Sequence, residues 1–194
     1  MQELLNNLAV SFDLPILDWI QANLQSGFMD TVMPIVTLFG DAGIFWMVCA
    51  ALLAIYPKTR KIGFGMGFAM ALGLLICNII LKPLVGRMRP YDFQELYNGV
   101  TIKLLIDGLS DNSFPSGHTI AAFEACIALL CGNKKLGVPA VIMAFLVAFS
   151  RLYLYVHYPT DVIASIVLGS ILAVIGYWLA GKIVKPVKKG KYET

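Results

Sequence analysis

The sequence predicts an all-α fold, a polytopic membrane helix bundle with about five transmembrane helices and an N-terminal interfacial helix. Hydrophobic residues make up 58% of the 194 residues and charged residues 14%, and the mean hydropathy is +0.75. This composition is too apolar for an ordinary soluble domain and indicates one integral membrane domain. The apolar residues form long runs instead of alternating ten-residue segments, so the spanning units are predicted to be helices.

The N-terminal segment, residues 4–28, mixes apolar side chains with many Asn, Asp and Gln residues. Such a helix is predicted to lie in the membrane interface, because a spanning helix needs about 20 predominantly apolar residues. We expect the helix to be broken near Pro15. The predicted organisation is an interfacial segment at 1–31, a membrane domain at 32–182 and a basic cytoplasmic tail at 183–194.

Five apolar runs follow, at 32–56, 62–81, 118–131, 138–154 and 162–182, of which the third is short for a span. With five crossings, most basic residues lie at one set of helix ends, which marks those ends as cytoplasmic. They are Lys58, Arg60, Lys61, Lys134, Lys135, Lys182, Lys185, Lys188, Lys189 and Lys191. The opposite, outer face receives Lys82, Arg87, Arg89, Lys103 and Arg151.

The four cysteines all lie within apolar runs and show neither metal-ligand spacing nor paired loop positions. They are interpreted as small apolar side chains, and no metal ion or cofactor is expected. The first residues are acidic and amide-rich and no long apolar region follows them, so no cleavable signal peptide is predicted.

Both histidines of the chain lie in motifs that suit phosphate chemistry, and a third motif supplies further cations. The three motifs, in chain order, are Lys82-x6-Arg89-Pro90, Pro115-Ser116-Gly117-His118 and Ser150-Arg151-x5-His157-x3-Asp161. With five spans, all three motifs emerge on the outer face. Nothing in the hydropathy requires this convergence, so it supports the count of five spans.

An anion site can be assembled from the basic residues of these motifs and from the turn before His118. The planar fork of arginine suits two phosphate oxygens at once. Ser116 and Gly117 precede an apolar helix, so their backbone N–H groups and the serine hydroxyl are predicted to point at the anion. The predicted phosphate-binding residues are Lys82, Arg89, Ser116, Gly117 and Arg151.

His157 is the candidate nucleophile. Asp161 lies four residues later, a spacing at which its carboxylate can accept a hydrogen bond from the imidazole if the chain turns helically near Pro159. The other ring nitrogen is then free to attack phosphorus. His118 is the candidate acid, which protonates the departing oxygen and later activates water.

Each of these residues also has a structural interpretation. A histidine at a membrane boundary can simply be interfacial, and Lys82 and Arg151 can be snorkelling anchors at helix ends. Their occurrence together, in matched motifs, favours the functional interpretation.

Other polar residues are given structural interpretations. Arg87 is interpreted as a solvated neighbour of Arg89. Glu124 lies inside the third apolar run, where a carboxyl group is unfavourable enough to predict a partner. Three aromatic residues are interpreted as an interfacial belt, namely Tyr153, Tyr155 and Tyr158.

The three ordered motifs resemble those of the type 2 phosphatidic acid phosphatase family of membrane lipid phosphatases, which shares its active-site pattern with vanadium haloperoxidases and bacterial acid phosphatases. Every defining position is present, and the resemblance covers residues 32–181. It implies that His157 forms a phosphohistidine, that Asp161 orients it and that His118 is the acid and base. It implies that the phosphate is held, without a metal ion, by Lys82, Arg89, Ser116, Gly117 and Arg151. Many bacterial members have six spans, whereas this chain has an interfacial segment at its front.

The predicted function is that of an outward-facing, metal-independent lipid phosphatase in the plasma or inner membrane. The predicted substrate is a polyprenyl diphosphate such as undecaprenyl diphosphate, with phosphatidic acid and phosphatidylglycerol phosphate as alternatives. A non-catalytic binder or transporter of phosphorylated lipid is disfavoured by the intact His157, Asp161 and His118, and a vanadate-dependent oxidase by the membrane-buried site. The predicted partners are a phosphorylated lipid and the bilayer, without nucleic acid. Residues 91–114 are predicted to cover the site and shape head-group selection.

Overall fold

A computed structural model describes residues 2–184, and every regular element in this part of the chain is helical, which confirms the all-α prediction. The α-helices are α1 (Gln2–Leu8), α2 (Leu14–Leu24), α3 (Gly27–Thr37), α4 (Ile44–Ile55), α5 (Arg60–Gly73), α6 (Lys82–Val85), α7 (Pro90–Asn98), α8 (Gly117–Gly132), α9 (Lys134–Tyr153) and α10 (Pro159–Ile183). Two π-helical segments, Ala9–Asp13 and Leu74–Leu81, join α1 to α2 and α5 to α6. A 3-10 segment, Leu38–Gly43, joins α3 to α4.

Four stretches of the described chain are long and apolar enough to cross a membrane, namely Gly27–Ile55, Arg60–Asn98, Lys134–Tyr153 and Pro159–Ile183. They contain four of the five predicted spans. The remaining run forms α8, which has 16 residues. α8 packs against α5, α9 and α10, and Ala122, Ala125 and Ala128 on it are fully buried. Because protein surrounds it on several sides, α8 does not have to match the full thickness of the lipid core.

The N-terminal helix is not broken at Pro15, contrary to the sequence-based expectation. The chain stays helical from α1 through the π-helical segment into α2. Pro15 lies in the first turn of α2, where its fixed φ is compatible with the helix, and the wider π-helical turn just before it accommodates the missing N–H. α2 buries Leu14 and Leu17 against Tyr155 and Phe93, so this segment contacts the region of the third motif.

The first span is interrupted between α3 and α4. Asp41 has an extended backbone with ψ 121°, and Ala42 and Gly43 have φ angles of 46° and 67°. Only glycine adopts this left-handed region without strain, so Gly43 eases the turn that Ala42 begins. The interruption brings the backbone of Gly40 against His118, where an added Cβ would lie 2.9 Å from the His118 Cβ and Cδ2.

The start of α5 and the end of α10 are neighbours at one end of the bundle. The Lys61 Nζ lies 4.0 Å from the centre of the Tyr177 ring, and Gly181 lies beside the Lys61 side chain. The predicted charge distribution assigns the start of α5 and the end of α10 to the same end of the bundle, and this proximity agrees with that assignment. Four further basic residues assigned to the same end lie outside the described residues, namely Lys185, Lys188, Lys189 and Lys191.

Candidate active site

The three motifs meet around one cavity of about 1280 Å³ at the other end of the bundle. Six of the eight predicted site residues line it, namely Lys82, Arg89, Gly117, His118, Arg151 and His157. The other two, Ser116 and Asp161, are fully buried behind its wall. The cavity continues between α4 and α5. Small residues such as Ala51, Ala54 and Gly67 line it there, together with the rings of Phe64 and Phe68. The cavity therefore has two parts: a polar head, lined by the six predicted site residues, and an apolar groove between α4 and α5.

The Arg151 guanidinium lines this cavity and has unsatisfied donors. Arg151 is 1% exposed, and its Nη1 donates to the Thr37 Oγ1. Its Nε and Nη2 have no hydrogen-bond partner among residues 2–184. A buried cation with unpaired N–H groups is strongly unfavourable, whereas an oxyanion accepts two such N–H bonds in parallel. The donor set of Arg151 therefore fits a phosphate group.

Arg89 is held rigidly beside His157. Its Nη1 donates to the Val156 carbonyl oxygen at 2.7 Å, and its Nε donates to the Asp111 carbonyl oxygen at 2.8 Å. The same Nη1 lies 3.4 Å from the His157 Nε2. These backbone contacts fix the fork of Arg89 before any ligand binds.

The Asp111 carboxylate bridges two of the predicted phosphate-binding cations. The Lys82 Nζ donates to its Oδ2 at 2.5 Å, and the Arg89 Nη2 donates to its Oδ1. Burial raises the pKa of Asp111, but the hydrogen bonds and charges of Lys82 and Arg89 outweigh it and lower the pKa to about 2. Asp111 is therefore ionised at neutral pH.

His157 lies in the α9–α10 connection with its two ring nitrogens in different surroundings. The Nε2 faces Arg89 in the cavity, whereas the Nδ1 lies 3.5 Å from the Ser113 Oγ and 3.7 Å from the Asp161 Oδ2. The expected direct hydrogen bond from His157 to Asp161 is not formed, because 3.7 Å is too long. Ser113 donates to the Asp161 Oδ2 at 2.5 Å and so lies between the two residues.

The electrostatic surroundings of His157 favour the neutral imidazole. Burial lowers the pKa of His157 well below its ordinary value, and the positive charges of Arg89, Arg151 and Lys82 lower it further, while Asp111 opposes them. A neutral imidazole has a free lone pair, which a nucleophile requires.

Arg87 is buried instead of solvated, which corrects the sequence-based interpretation. It is 3% exposed, and its Nη1 donates to the Asp161 Oδ1 at 2.5 Å while its Nη2 donates to the Asp13 Oδ2 at 2.7 Å. Asp13 in turn accepts from the Thr160 backbone N–H at 2.9 Å. The Tyr158 ring lies 3.8 Å from the guanidinium carbon of Arg87. This group of contacts, which we call the Arg87 network, fixes the start of α10.

The interpretation of three tyrosines as an interfacial belt is wrong. Each is 1% exposed. The Tyr153 hydroxyl donates to Asp30 at 2.6 Å, and the Tyr155 hydroxyl donates to Asp18 at 2.6 Å. Asp18, one of the carboxylates that made the N-terminal segment look interfacial, is therefore a hydrogen-bond partner of the α9–α10 connection.

Ser116 caps α8 and does not point its backbone N–H at the cavity. Its N–H donates to the Ser165 Oγ at 2.8 Å, and its Oγ accepts from the Thr119 Oγ1 at 3.0 Å. The expectation that this N–H faces the anion is wrong, because the N–H is already paired. Gly117, at the first position of α8, lines the cavity as expected.

Glu124 lies on α8 deeper in the same cavity and is 1% exposed. Its Oε1 has no hydrogen-bond partner among the described residues, so the partner that the sequence predicted is not found there. The carboxyl group packs against Gly73, whose missing side chain leaves room for it.

The PAP2 superfamily model matches residues 62–185, which include all three motifs. The chain belongs to the PAP2 superfamily. This confirms the predicted family and, with it, the class of membrane phosphatase.

Two PAP2 relatives carry the same name. An undecaprenyl-diphosphatase from Sulfolobus acidocaldarius is 28% identical over 181 residues, which cover 93% of this chain and 83% of the relative. Undecaprenyl-diphosphatase BcrC from Bacillus subtilis is 31% identical over 148 residues, which cover 76% and 73% of the two chains. Both comparisons extend over most of each PAP2 chain.

A PAP2 fold of this kind has been solved by crystallography. A transmembrane PAP2 type phosphatidylglycerolphosphate phosphatase from Bacillus subtilis superimposes with a TM-score of 0.64 at 26% identity, over 87% of this chain and 82% of that chain. LpxE from Aquifex aeolicus has the same fold, with a TM-score of 0.69 over 86% and 94% of the chains at 24% identity.

Sequence reasoning missed the residues that support the motifs, namely Asp13, Thr37, Ser113 and Thr160. One signal was available: polar side chains in a largely apolar chain are unfavourable without partners. Asp13 and Thr37 each lie among apolar residues. Their partners, Arg87 and Arg151, are far away in the sequence, so only the fold identifies them.

Proposed function

We propose that the protein removes a phosphate from a polyprenyl diphosphate, with undecaprenyl diphosphate as the preferred candidate, on the outer face of the cell membrane. The observation that carries the phosphate chemistry is Arg151, a buried guanidinium at the cavity wall whose Nε and Nη2 have no hydrogen-bond partner among residues 2–184. The diphosphate assignment draws on the two relatives named undecaprenyl-diphosphatase, which match over 93% and 76% of the chain.

In this proposal the transferring phosphate lies between three cations. Arg151 contributes its free Nε and Nη2, Arg89 its fork and Lys82 its ammonium group. Gly117 is the first residue of α8, where backbone N–H groups lack partners within the helix and the helix dipole is positive. Phosphoryl transfer depends mainly on positioning and on stabilising the charge of the equatorial oxygens, which these donors supply.

The His157 Nε2 is the proposed nucleophile. Its lone pair forms the N–P bond while the bond from phosphorus to the leaving oxygen breaks. On the opposite side of the ring, the Nδ1–H donates through the Ser113 hydroxyl to Asp161, a chain supported by the distances of 3.5 Å and 2.5 Å. This chain fixes the tautomer that leaves the Nε2 lone pair free.

His118 is the proposed acid and base. It lines the cavity at the start of α8 and packs against Gly40. In the first step it gives its proton to the leaving oxygen. In the second step it accepts a proton from water, which attacks phosphorus and releases inorganic phosphate from His157.

The lipid tail of the substrate is proposed to occupy the apolar groove between α4 and α5. Alanine and glycine residues line much of it, so the helix backbones approach the groove closely. The groove continues the polar head of the cavity without a wall between them, which suits a substrate with a charged head and a long apolar chain.

Phosphate release from purified lipids tests this proposal. The detergent-solubilised protein should release phosphate from undecaprenyl diphosphate faster than from phosphatidic acid or phosphatidylglycerol phosphate at equal surface concentration. His157→Gln, which keeps the approximate size of the side chain but not the nucleophile, should abolish release. Faster release from either monophosphate lipid would replace the substrate assignment, and binding without any release would favour the non-catalytic binder.

A further inference from the structure

The Asp111 carboxylate lies between Lys82 and Arg89, where an anionic ligand would bind. Its two carboxylate oxygens accept from Lys82 and Arg89 separately, as two oxygens of one phosphate would. Both cations line the cavity, and so does Asp111. A phosphate that uses Lys82 and Arg89 therefore has to exchange with this carboxylate.

The exchange requires only a movement of the Asp111 side chain. Its backbone carbonyl oxygen is held by the Arg89 Nε at 2.8 Å, and the backbone N–H of nearby Ser113 donates to the Arg87 carbonyl oxygen at 2.7 Å. The side chain itself is 53% exposed, so it can rotate into solvent while the backbone stays in place. The displaced carboxylate remains charged, since its pKa of about 2 is set by the cations and its ordinary value is also acidic.

We propose that Asp111 is a specificity-determining residue that excludes singly charged phosphodiester head groups and yields to phosphate monoesters and diphosphates. The inference rests on the proposed function, because it concerns the head group that enters the same site. Anionic phospholipids are phosphodiesters, so a cavity that opens towards a bilayer can also meet singly charged head groups.

Charge decides which ligand can displace Asp111. A phosphodiester carries one negative charge, so it would replace one singly charged group by another at the same two cations. Asp111 is also part of the chain and therefore acts at a high effective concentration. A phosphate monoester carries about −1.5 to −2 at pH 7, and a diphosphate carries more, so their attraction to Lys82, Arg89 and Arg151 exceeds that of the carboxylate.

The test compares Asp111→Asn with Asp107→Asn. The first variant keeps the shape of the side chain and removes its charge, and the second is a matched control because Asp107 is an exposed aspartate in the same segment. Short-chain phosphatidylglycerol serves as the diester probe and glycerol phosphate as the monoester probe, at pH 8, where the monoester is fully doubly charged. Binding of each probe is measured by titration calorimetry, and inhibition by phosphatidylglycerol is measured during turnover of the lipid substrate.

In Asp111→Asn, the dissociation constant and the inhibition constant of phosphatidylglycerol should fall by about tenfold or more. The ratio of monoester to diester affinity should fall as well. Asp107→Asn should match the unaltered protein. An unchanged ratio, or an equal loss of affinity for both probes, would overturn the inference, because Asp111 would then only hold Lys82 and Arg89 in place. If the protein turns over no lipid substrate but the probe affinities change as expected, the proposed function is refuted and the role of Asp111 is supported.

Discussion

Arg87 and Asp161 form a buried ion pair, with the Arg87 Nη1 2.5 Å from the Asp161 Oδ1. The second amino group of the same guanidinium contacts Asp13 at 2.7 Å, so one arginine connects the N-terminal helix to the start of α10. Asp161 in turn accepts from Ser113, which lies next to the His157 Nδ1. The N-terminal segment is therefore part of the support of His157.

Replacing Arg87 with Ala should destabilise the protein strongly. The change leaves the Asp13 and Asp161 carboxylates buried without their cation, and removal of one partner from a buried ion pair costs on the order of 3–5 kcal/mol. For a chain of this size we expect the midpoint of thermal unfolding to fall by roughly 10 °C. Lys103→Ala, at an exposed position, is the control and should change stability by less than about 0.5 kcal/mol. An Arg87→Ala protein as stable as this control would show that the network contributes little.

Replacing Ser113 with Ala should lower kcat and leave KM nearly unchanged. The substitution removes the hydroxyl between the His157 Nδ1 and Asp161 without altering the cations of the cavity. A hydrogen bond to a charged group is worth about 1.5–3 kcal/mol, so kcat should fall by roughly ten- to hundredfold. Thr101→Ala, at an exposed position of the same connection that does not line the cavity, is the control. If KM rises while kcat is retained, Ser113 acts in substrate binding instead.

Replacing His118 with Ala should affect two substrates differently. A lipid monophosphate releases an alkoxide whose conjugate acid resembles water with a pKa of about 15.7, so it needs a proton from His118. A polyprenyl diphosphate releases a phosphate monoester with a relevant pKa of about 6, which needs little help. Single-turnover formation of phosphohistidine should therefore slow much more for phosphatidic acid than for the diphosphate. Equal slowing would mean that His118 is not mainly a leaving-group acid, or that chemistry is not the observed step.

Activity should persist in excess chelator. In the proposed site the charge of the transferring phosphate is met by Lys82, Arg89 and Arg151, which is the contribution that a metal ion makes in other phosphoryl-transfer sites. Turnover is measured after dialysis against chelator and again after magnesium is added. Loss of activity that magnesium alone restores would contradict this prediction.

The membrane orientation can be tested by thiol labelling. In a background in which the four native cysteines are replaced, single cysteines at Asn98 and Lys58 occupy exposed positions near opposite ends of the bundle. If the basic end is cytoplasmic, an impermeant thiol reagent on intact cells should label only the cysteine at Asn98. Labelling only at Lys58 would reverse the orientation and place the cavity on the cytoplasmic side.

Hydropathy and motif spacing were sufficient to predict the helical architecture. Apolar runs long enough to span can satisfy their backbone only as helices, so the four long segments follow directly from the sequence. The motifs also predicted six of the residues that line the cavity. The sequence could not distinguish α8 as a helix enclosed by its neighbours, because burial by protein and burial by lipid select the same apolar residues.

The partners of the polar residues were decided only by the tertiary structure. The sequence-based interpretation left Arg87 solvated and gave Asp13 no partner, whereas their buried contact joins residues 74 positions apart, and local spacing carries no information about such a pair. The same holds for Asp111, which reads as an ordinary loop carboxylate until the fold places it between Lys82 and Arg89. The types and the order of the residues were enough to predict the candidates for phosphate chemistry. The contacts by which residues hold one another in place form only when the helices pack, so the tertiary structure decided them.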